Sequence, residues 1–286
     1  MLTSSKIEIL TKHSNAIRKS IVEMLIEAKS GHLAGALGMA DIFCYLYFYA
    51  LKHNPKKPNW DMRDRLVLSN GHICPVLYAT MAHSGYFPID ELKTLRKFGS
   101  RLQGHPHREY LDMIETSSGP LGSGLSQTVG MALAHRIDHG VGSNMRFYCL
   151  MSDGELNEGN TWEAAMLAQK EKLSSVTAII DRNNIQIDGF TEDIMPLNSV
   201  LEKWRAWNWN VIEINGHDFV EIDRAINTAS EKKDKPTVII AHTIPSKGIP
   251  QFERKFEWHG KPPLTDEEIR VALDSMRSLN GKIEHH

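Results

Sequence analysis

Two short apolar runs that each end in oxygen-bearing side chains constrain this chain more than any other feature. Residues 146–151 lead into Asp153-Gly154-Glu-Leu-Asn-Glu158-Gly159, and residues 176–180 lead into Asp181-Arg-Asn183-Asn-Ile185-Gln-Ile187. A helical pattern lies between them, so the spacing predicts a β-α-β unit. Parallel neighbouring strands would bring Asp153 and Asn183, 30 positions apart, to one rim of the sheet. Asp, Asn and Gly are common at strand ends as plain turn formers, and Asp-Gly alone says little. The full run, followed by an amide after a second buried strand, is far more specific. A carboxylate, an amide oxygen and the Ile185 carbonyl form an oxygen-only set. It suits Mg²⁺, with Ca²⁺ or Mn²⁺ as substitutes, and not zinc. A hard cation with open positions usually serves a polyphosphate.

The rest of the chain repeats the alternation. Helical periodicity covers 7–28, with Ile17, Ile21, Met24, Leu25 and Ala28 on one face, and a second helix is expected over 40–52. Residues 65–69 read as a buried strand turning at Asn70-Gly-His72, and 89–96 as a short helix. Residues 123–139 read as a longer helix with Ser126 as its cap. Residues 211–214 and 237–241 read as further strands, separated by a helix near 218–230. The stretch 98–121 is long, rich in Gly, Pro and His, and weakly periodic, the kind of loop that is functional or disordered. Strands alternating with helices predict an α/β fold, a parallel sheet flanked by helices on both faces. One domain over residues 1–286 is the simplest organisation. Residues 283–286, ending Glu-His-His, read as a tag remnant.

Bulk properties exclude some function classes. The formal net charge of −2 gives no electrostatic case for nucleic acid or an anionic membrane. The first residues carry no apolar signal core, and the longest apolar run, 42–51, is too short to span a bilayer. Cys44, Cys74 and Cys149 are scattered and odd in number, which fits a reducing, cytoplasmic compartment.

Gly119-Pro-Leu121-Gly122-Ser-Gly-Leu-Ser126 precedes a helix. Glycines allow close backbone approach and a helix N-terminus favours an anion, although a loop with no ligand is an equal reading. His32, His72, His105 and His259 each stand beside a glycine in a turn. One such histidine is ordinarily structural; four point to convergence on a polar ligand, as hydrogen-bonders or as acids and bases. His135 and His139, four apart on one helix, have zinc spacing but no nearby third ligand, so a solvated face is favoured. Trp204, Trp207 and Trp209 read as core packing.

Taken together, these segments resemble the diphosphate-binding half of transketolase. The resemblance is ordered along almost the whole chain. It runs through Lys29-Ser-Gly-His32, Leu37-Gly-Met-Ala40, Leu68-Ser-Asn-Gly-His72 and Gly104-His-Pro106. It continues through Gly119-Pro-Leu-Gly122, Val129-Gly-Met-Ala132, Asp153-Gly154, Glu158-Gly159, the 181–189 segment and Trp258-His-Gly260. It implies thiamine diphosphate and Mg²⁺ as cofactors, with Asp153, Asn183 and the Ile185 carbonyl as metal ligands. Gly154, His72 and His259 then fall to the cofactor's diphosphate site, Leu121 and Ile187 to its rings, and Gly119 to the cofactor-binding set. His32 and His105 are implied to hydrogen-bond the sugar and assist proton transfer, with His259 beside them. Glu158 is implied to join a proton network between paired active sites.

The resemblance also has departures. Leu33-Ala-Gly-Ala36 replaces the family's usual Pro-Gly-Ala-Pro, which points to a reshaped donor pocket, and Ser152 stands where glycine is usual. A full transketolase is more than twice as long, and its second half supplies the glutamate that activates the cofactor. The chain therefore resembles the N-terminal subunit of a split transketolase. That implies a separate C-terminal subunit carrying the pyrimidine-binding domain, an α₂β₂ assembly, and a sugar or sugar phosphate as substrate. Rival readings are the α subunit of a 2-oxo acid dehydrogenase, for which the histidines at 32, 72 and 105 are not expected, and a non-catalytic cofactor-binding homologue. 1-Deoxyxylulose-5-phosphate synthase fits less well, because it is a longer single chain.

Overall fold

The computed structural model describes residues 2–282; the 283–286 segment that reads as a tag remnant lies outside them. Helix α1, Ser4–Ala28, starts with the Thr3 side chain accepting from Lys6 N–H and stops at Lys29 in a left-handed conformation (φ 53°). Helices α2, Ala34–Gly38, and α3, Ala40–Tyr45, follow. The stretch expected as one helix to Lys52 instead loosens into a π turn over Leu46–Ala50. There the chain leaves the helix, and Lys52 N–H turns to the Asp64 carboxylate at 2.9 Å. Strand β1, Arg65–Leu68, leads through a 3₁₀ turn into α4, Cys74–His83. Residues 89–94 are a 3₁₀ segment, not an α-helix.

Next come α5, Ser123–His139; β2, Phe147–Ser152; α6, Gly159–Lys170; and β3, Val176–Arg182. A small hairpin of β4, Ile185–Gln186, and β5, Gly189–Phe190, sits directly after β3. Helices α7, Thr191–Ile194, and α8, Val200–Ala206, precede β6, Asn210–Asn215. The chain closes with α9, Phe219–Glu231; β7, Thr237–His242; and α10, Asp266–Lys282.

The main sheet has the order β1-β2-β3-β7-β6 and is parallel throughout. Its strands explain their own apolar runs, because successive side chains face opposite sides and both sides are covered. Tyr148 and Leu150 enter one core with α1, α3 and α4, while Phe147, Cys149 and Met151 enter the other with α5 and α6. Such a sheet presents its ligand crevice outside the carboxyl ends of the strands, which is where Asp153 and Asn183 fall.

Some local expectations are corrected. Ser126 does not cap α5; it lies exposed within the helix. The cap position is Gly122 at φ 79°, where an added Cβ would run into Asn160 and Glu158. The long 98–121 loop is pinned to the core by Leu102, Leu111 and Ile114. Trp204 and Trp209 are core residues with ring centroids 4.8 Å apart, but Trp207 is at the surface.

A buried ion-pair network ties the helical layer to the strand ends. Asp41 accepts from Arg18 at 2.9 and 2.6 Å, from Ser14, and from His217 Nδ1 at 2.8 Å. Burial alone would raise the Asp41 pKa, but the Arg18 guanidinium and His217 hold it well below the usual carboxylate range. Removing one member leaves an uncompensated buried charge on Arg18. Asp41→Ala should therefore destabilise the fold by about 3–5 kcal/mol, measured by urea unfolding. A loss under about 1 kcal/mol would contradict this role.

Candidate active site

The register of β2 and β3 pairs Ser152 with Asp181, and Asp153 N–H donates to the Asp181 carbonyl at 3.1 Å. Two fully buried carboxylates thus stand side by side at the sheet rim. Asp153 accepts from Gly154 N–H at 2.8 Å, Asn184 N–H at 2.8 Å and Arg182 Nη1 at 3.2 Å. Asn183, also buried, donates Nδ2 to Asp181 at 2.7 Å and accepts Ile185 N–H on Oδ1 at 3.1 Å. Thr243, just past β7, donates to the other oxygen of Asp181. Burial raises the Asp153 pKa to about 6 against the opposing pull of Arg182. Burial, and then the charge of Asp153, raises Asp181 to about 7 against the hydrogen bonds from Thr243 and Asn183.

A third carboxylate anchors the glycine-rich loop. Glu155 accepts from Ser69 Oγ, from Gly122 N–H at 2.5 Å and from Ser152 N–H at 3.2 Å. Ser69 Oγ in turn accepts Gly124 N–H at 3.0 Å, and a Cβ on Gly124 would collide with the Ser69 side chain. The start of α5 is therefore docked on the ends of β1 and β2 through one buried carboxylate. Burial raises the Glu155 pKa to about 7, with Glu158 adding repulsion.

Three of the four glycine-flanked histidines converge. The ring centroids of His32 and His72 lie 4.9 Å apart, those of His72 and His259 5.3 Å, and those of His32 and His259 5.7 Å. Burial, and then the charge His259, Arg96 and His105 would place nearby, lowers the His32 pKa to about 4. Burial takes His259 to about 4, His72 well below its ordinary value, and also lowers His105. The rings are neutral at pH 7. His105 joins the group through its field on His32 and His72 and makes no ring contact with them among those described. Gly35, three residues after His32, packs against the carboxylate rim, since its Cβ would meet Ile73 at 2.8 Å, Asp181 Oδ2 at 3.5 Å and Asn183 Nδ2 at 4.0 Å.

Comparison with known proteins bears directly on this arrangement. Residues 9–278 match the family described as transketolase, thiamine diphosphate binding domain. The chain belongs to the transketolase family. It is 40% identical over 264 residues to 6-deoxy-6-sulfo-D-fructose transketolase subunit SqwG of Clostridium sp., covering 92% of this chain and 94% of that one. It is 39% identical over 284 residues to an apulose-4-phosphate transketolase subunit of Phocaeicola vulgatus, covering 97% and 100%. Against transketolase 2 of Escherichia coli it is 40% identical over 92% of its own length but spans only 40% of that protein. Among solved structures, transketolase from Campylobacter jejuni superposes with a TM-score of 0.87 at 38% identity, over 94% of this chain and 43% of that one. The family is one of ketol-transferring enzymes.

Within this transketolase domain, the expected ligands Asp153 and Asn183 are buried oxygen donors at one rim. No group of three or more His, Cys, Asp or Glu side chains suited to a metal occurs among the described residues. The candidate set instead combines one carboxylate, one amide and one carbonyl, and paired buried carboxylates are what a divalent cation would relieve. The Nδ1 atoms of His32 and His259 and both side-chain heteroatoms of Asn70 are buried without partners, so the pocket also offers unspent hydrogen-bonding capacity. Gly154 is close-packed, since its Cβ would meet Gln186 at 3.2 Å. Ile187 is 63% exposed, and Glu158 is exposed ahead of α6. Leu121 and Gly119 are half-buried, and Gly119 has open space around it. His135 and His139 sit apart on the last turns of α5, where His135 bonds Ser143 at 2.6 Å.

Several rim residues escaped the reading of the sequence as site components: Ser69, Asn70, Glu155, Asp181, Arg182 and Thr243. Glu155 and Asp181 had one available signal, an acidic residue two places from a candidate ligand at the end of an apolar run. Leu33 and Ala36, the residues that stand where the family has prolines, are fully buried in the core shared with α1.

The histidine shifts carry a pH signature. His32 and His259 take up protons near pH 4 when folded and near about 6.5 when unfolded. Their contribution to stability is therefore full above about 6.5 and is lost as pH falls towards about 4. Glu155 and Asp181 act with the opposite sign, because their raised values make the folded state bind protons more tightly. The difference between variants thus isolates the rings: a His32→Gln/His259→Gln variant should lose less stability than wild type between pH 6.5 and 4.5. Equal losses in thermal melts would show that the rings are not held neutral.

Proposed function

We propose that this chain is the diphosphate-binding subunit of a split transketolase, dependent on thiamine diphosphate and Mg²⁺ and active with a separate polypeptide carrying the pyrimidine-binding domain. The observation that carries the proposal is that Asp153 and Asn183 follow the paired strands β2 and β3 at one rim, where Asp153 accepts Asn184 N–H and Asn183 bonds Asp181. Two relatives of matching length are named as transketolase subunits, which supports the partner and is compatible with an α₂β₂ assembly. Three free, buried cysteines suit a reducing, cytoplasmic compartment. No helix among the described residues is long and apolar enough to cross a membrane.

In this reading Asp153, Asn183 and the Ile185 carbonyl hold the cation, and His72, Gly154 and His259 receive the diphosphate. Gly119 belongs to the cofactor-binding set, and Leu121 and Ile187 pack on the rings. Bound thiamine diphosphate supplies the carbon nucleophile and electron sink that two-carbon transfer requires. His32, His105 and His259, neutral at pH 7, hydrogen-bond the ketose carbonyl and hydroxyls as donors or acceptors and move protons at those oxygens. Their neutrality lets them do so without a fixed charge competing for the phosphate or sulfonate of a substrate. Glu158 faces solvent, available to a neighbouring active site. The relatives' names make sulfofructose, apulose 4-phosphate and ordinary phosphoketoses the donors to test first.

Calorimetric titration checks the cofactor assignment. Asp153→Ala should weaken thiamine diphosphate binding by more than the roughly 10–100-fold expected for a residue behind the ligands. Chelation should abolish binding, and added Mg²⁺, Ca²⁺ or Mn²⁺ should restore it. Unchanged affinity in the variant would refute the ligand set. Ketol transfer should require the complementary subunit; robust transfer by the chain alone, or 2-oxo acid decarboxylation in its place, would overturn the assignment.

A further inference from the structure

At the rim opposite Asp153, the strands begin beneath a cavity of about 340 Å³, a volume typical of small-ligand sites. Arg146 immediately precedes β2 and Asp153 immediately follows it. The six residues of β2, at about 3.3 Å each, place the two ends about 20 Å apart. Lys52, Arg146 and Lys233 line the cavity with Tyr49 and Tyr148, and Asp64 is the carboxylate among the lining residues.

The cations there have neutral partners. Lys52 Nζ donates to Asn144 O at 3.2 Å, Lys233 Nζ to Ser230 O at 3.2 Å, and Arg146 Nη2 to Ala229 O at 2.8 Å and Thr177 Oγ1 at 3.4 Å. Arg146 Nε is buried with no hydrogen-bond partner. Asp64 turns its oxygens to the backbone, accepting Lys52 N–H at 2.9 Å and Arg146 N–H at 2.8 Å. Asp223 stands behind the cavity wall, where it accepts the Tyr45 hydroxyl at 2.8 Å. Burial lowers the Arg146 pKa, a cost that an anion in contact offsets.

Three cations against one carboxylate leave a balance of two positive charges. That matches a phosphate monoester, which carries about −1.5 to −2 near neutral pH. The guanidinium and the two ammonium groups are charge-assisted donors suited to its oxygens, and the volume leaves room for an organic portion. We propose that this cavity binds a small phosphate monoester at a site separate from the one at the strand carboxyl ends.

The test is calorimetric titration of the full chain with glycerol 3-phosphate, in phosphate-free buffer at low ionic strength. The chain is first saturated with thiamine diphosphate and Mg²⁺. Because Arg146 also ties β3 to α9, the variant of choice is Lys52→Gln/Lys233→Gln, in which both changed side chains are exposed, with its melting temperature checked against wild type. One equivalent should bind, and the variant should bind at least about tenfold more weakly, as expected for lost charge-assisted contacts. Binding that is absent at about 10 mM, or unchanged in the variant, would overturn the site. Inorganic phosphate binding as tightly as the ester would overturn the monoester assignment.

Discussion

Across β2 and β3, Asp153 N–H reaches the Asp181 carbonyl, and this contact sets two carboxylates beside each other out of water. Neighbouring buried carboxylates raise each other's pKa and need partners to stay ionised. The surrounding structure supplies them in layers. Arg182 spans Asp153 and Glu192 at 3.2 and 2.8 Å. Thr243 and Asn183 hold Asp181 from opposite sides. Behind Thr243, Ile244 N–H donates to His217 Nε2 at 2.8 Å, which fixes the tautomer that gives its Nδ1 proton to Asp41. A continuous set of bonds therefore runs from Arg18 in α1 to Asn183, so the candidate ligand is oriented by groups on α1, α3 and β3 and on the loops after β6 and β7.

The histidine cluster is governed by the same low dielectric with the opposite consequence. Three imidazoles with centroids under 6 Å apart cannot gain protons together when each is buried. Keeping them neutral preserves one donor and one acceptor on each ring, a versatile lining for a polyol. The carboxylate pair concentrates negative charge while the histidines stay uncharged. The rim thus divides into a charged end at the paired carboxylates and a neutral end at the imidazoles.

What was legible in the residues follows from periodicity. The continuous apolar run of β2, Phe147-Tyr-Cys-Leu-Met-Ser152, marks a strand buried on both faces, and the Asp-Gly after it marks the rim, so the fold class and the placing of Asp153 and Asn183 at neighbouring strand ends were readable. The π turn after α3 was not, because it arises where Lys52 meets Asp64, a contact 12 positions away. The cap of α5 was misassigned to Ser126 for a similar reason. Its glycine is demanded by Asn160 and Glu158, which local propensity does not see. Glu155 and Asp181 were hidden because their roles are hydrogen bonds to Ser69, Gly122 and Thr243, brought together only by the closed sheet.

The replacement of the family's prolines is consistent with an unaltered helical turn after His32. Leu33 occupies the cap of α2 and Ala36 lies in its first turn, with Leu37 N–H making the bond back to Leu33 O at 3.0 Å. N–H groups of a first helical turn have no intrahelical acceptor, so proline there removes no bond that leucine or alanine would make. The same turn can therefore be built from either sequence. What differs is volume: Leu33 fills the core with a flexible branched chain where the family has a ring. The departure thus acts on the support beneath His32, which still meets His72 and His259 at ring-contact distance. A core change that leaves a polar cluster assembled is one route by which a family can vary its packing and keep its chemistry.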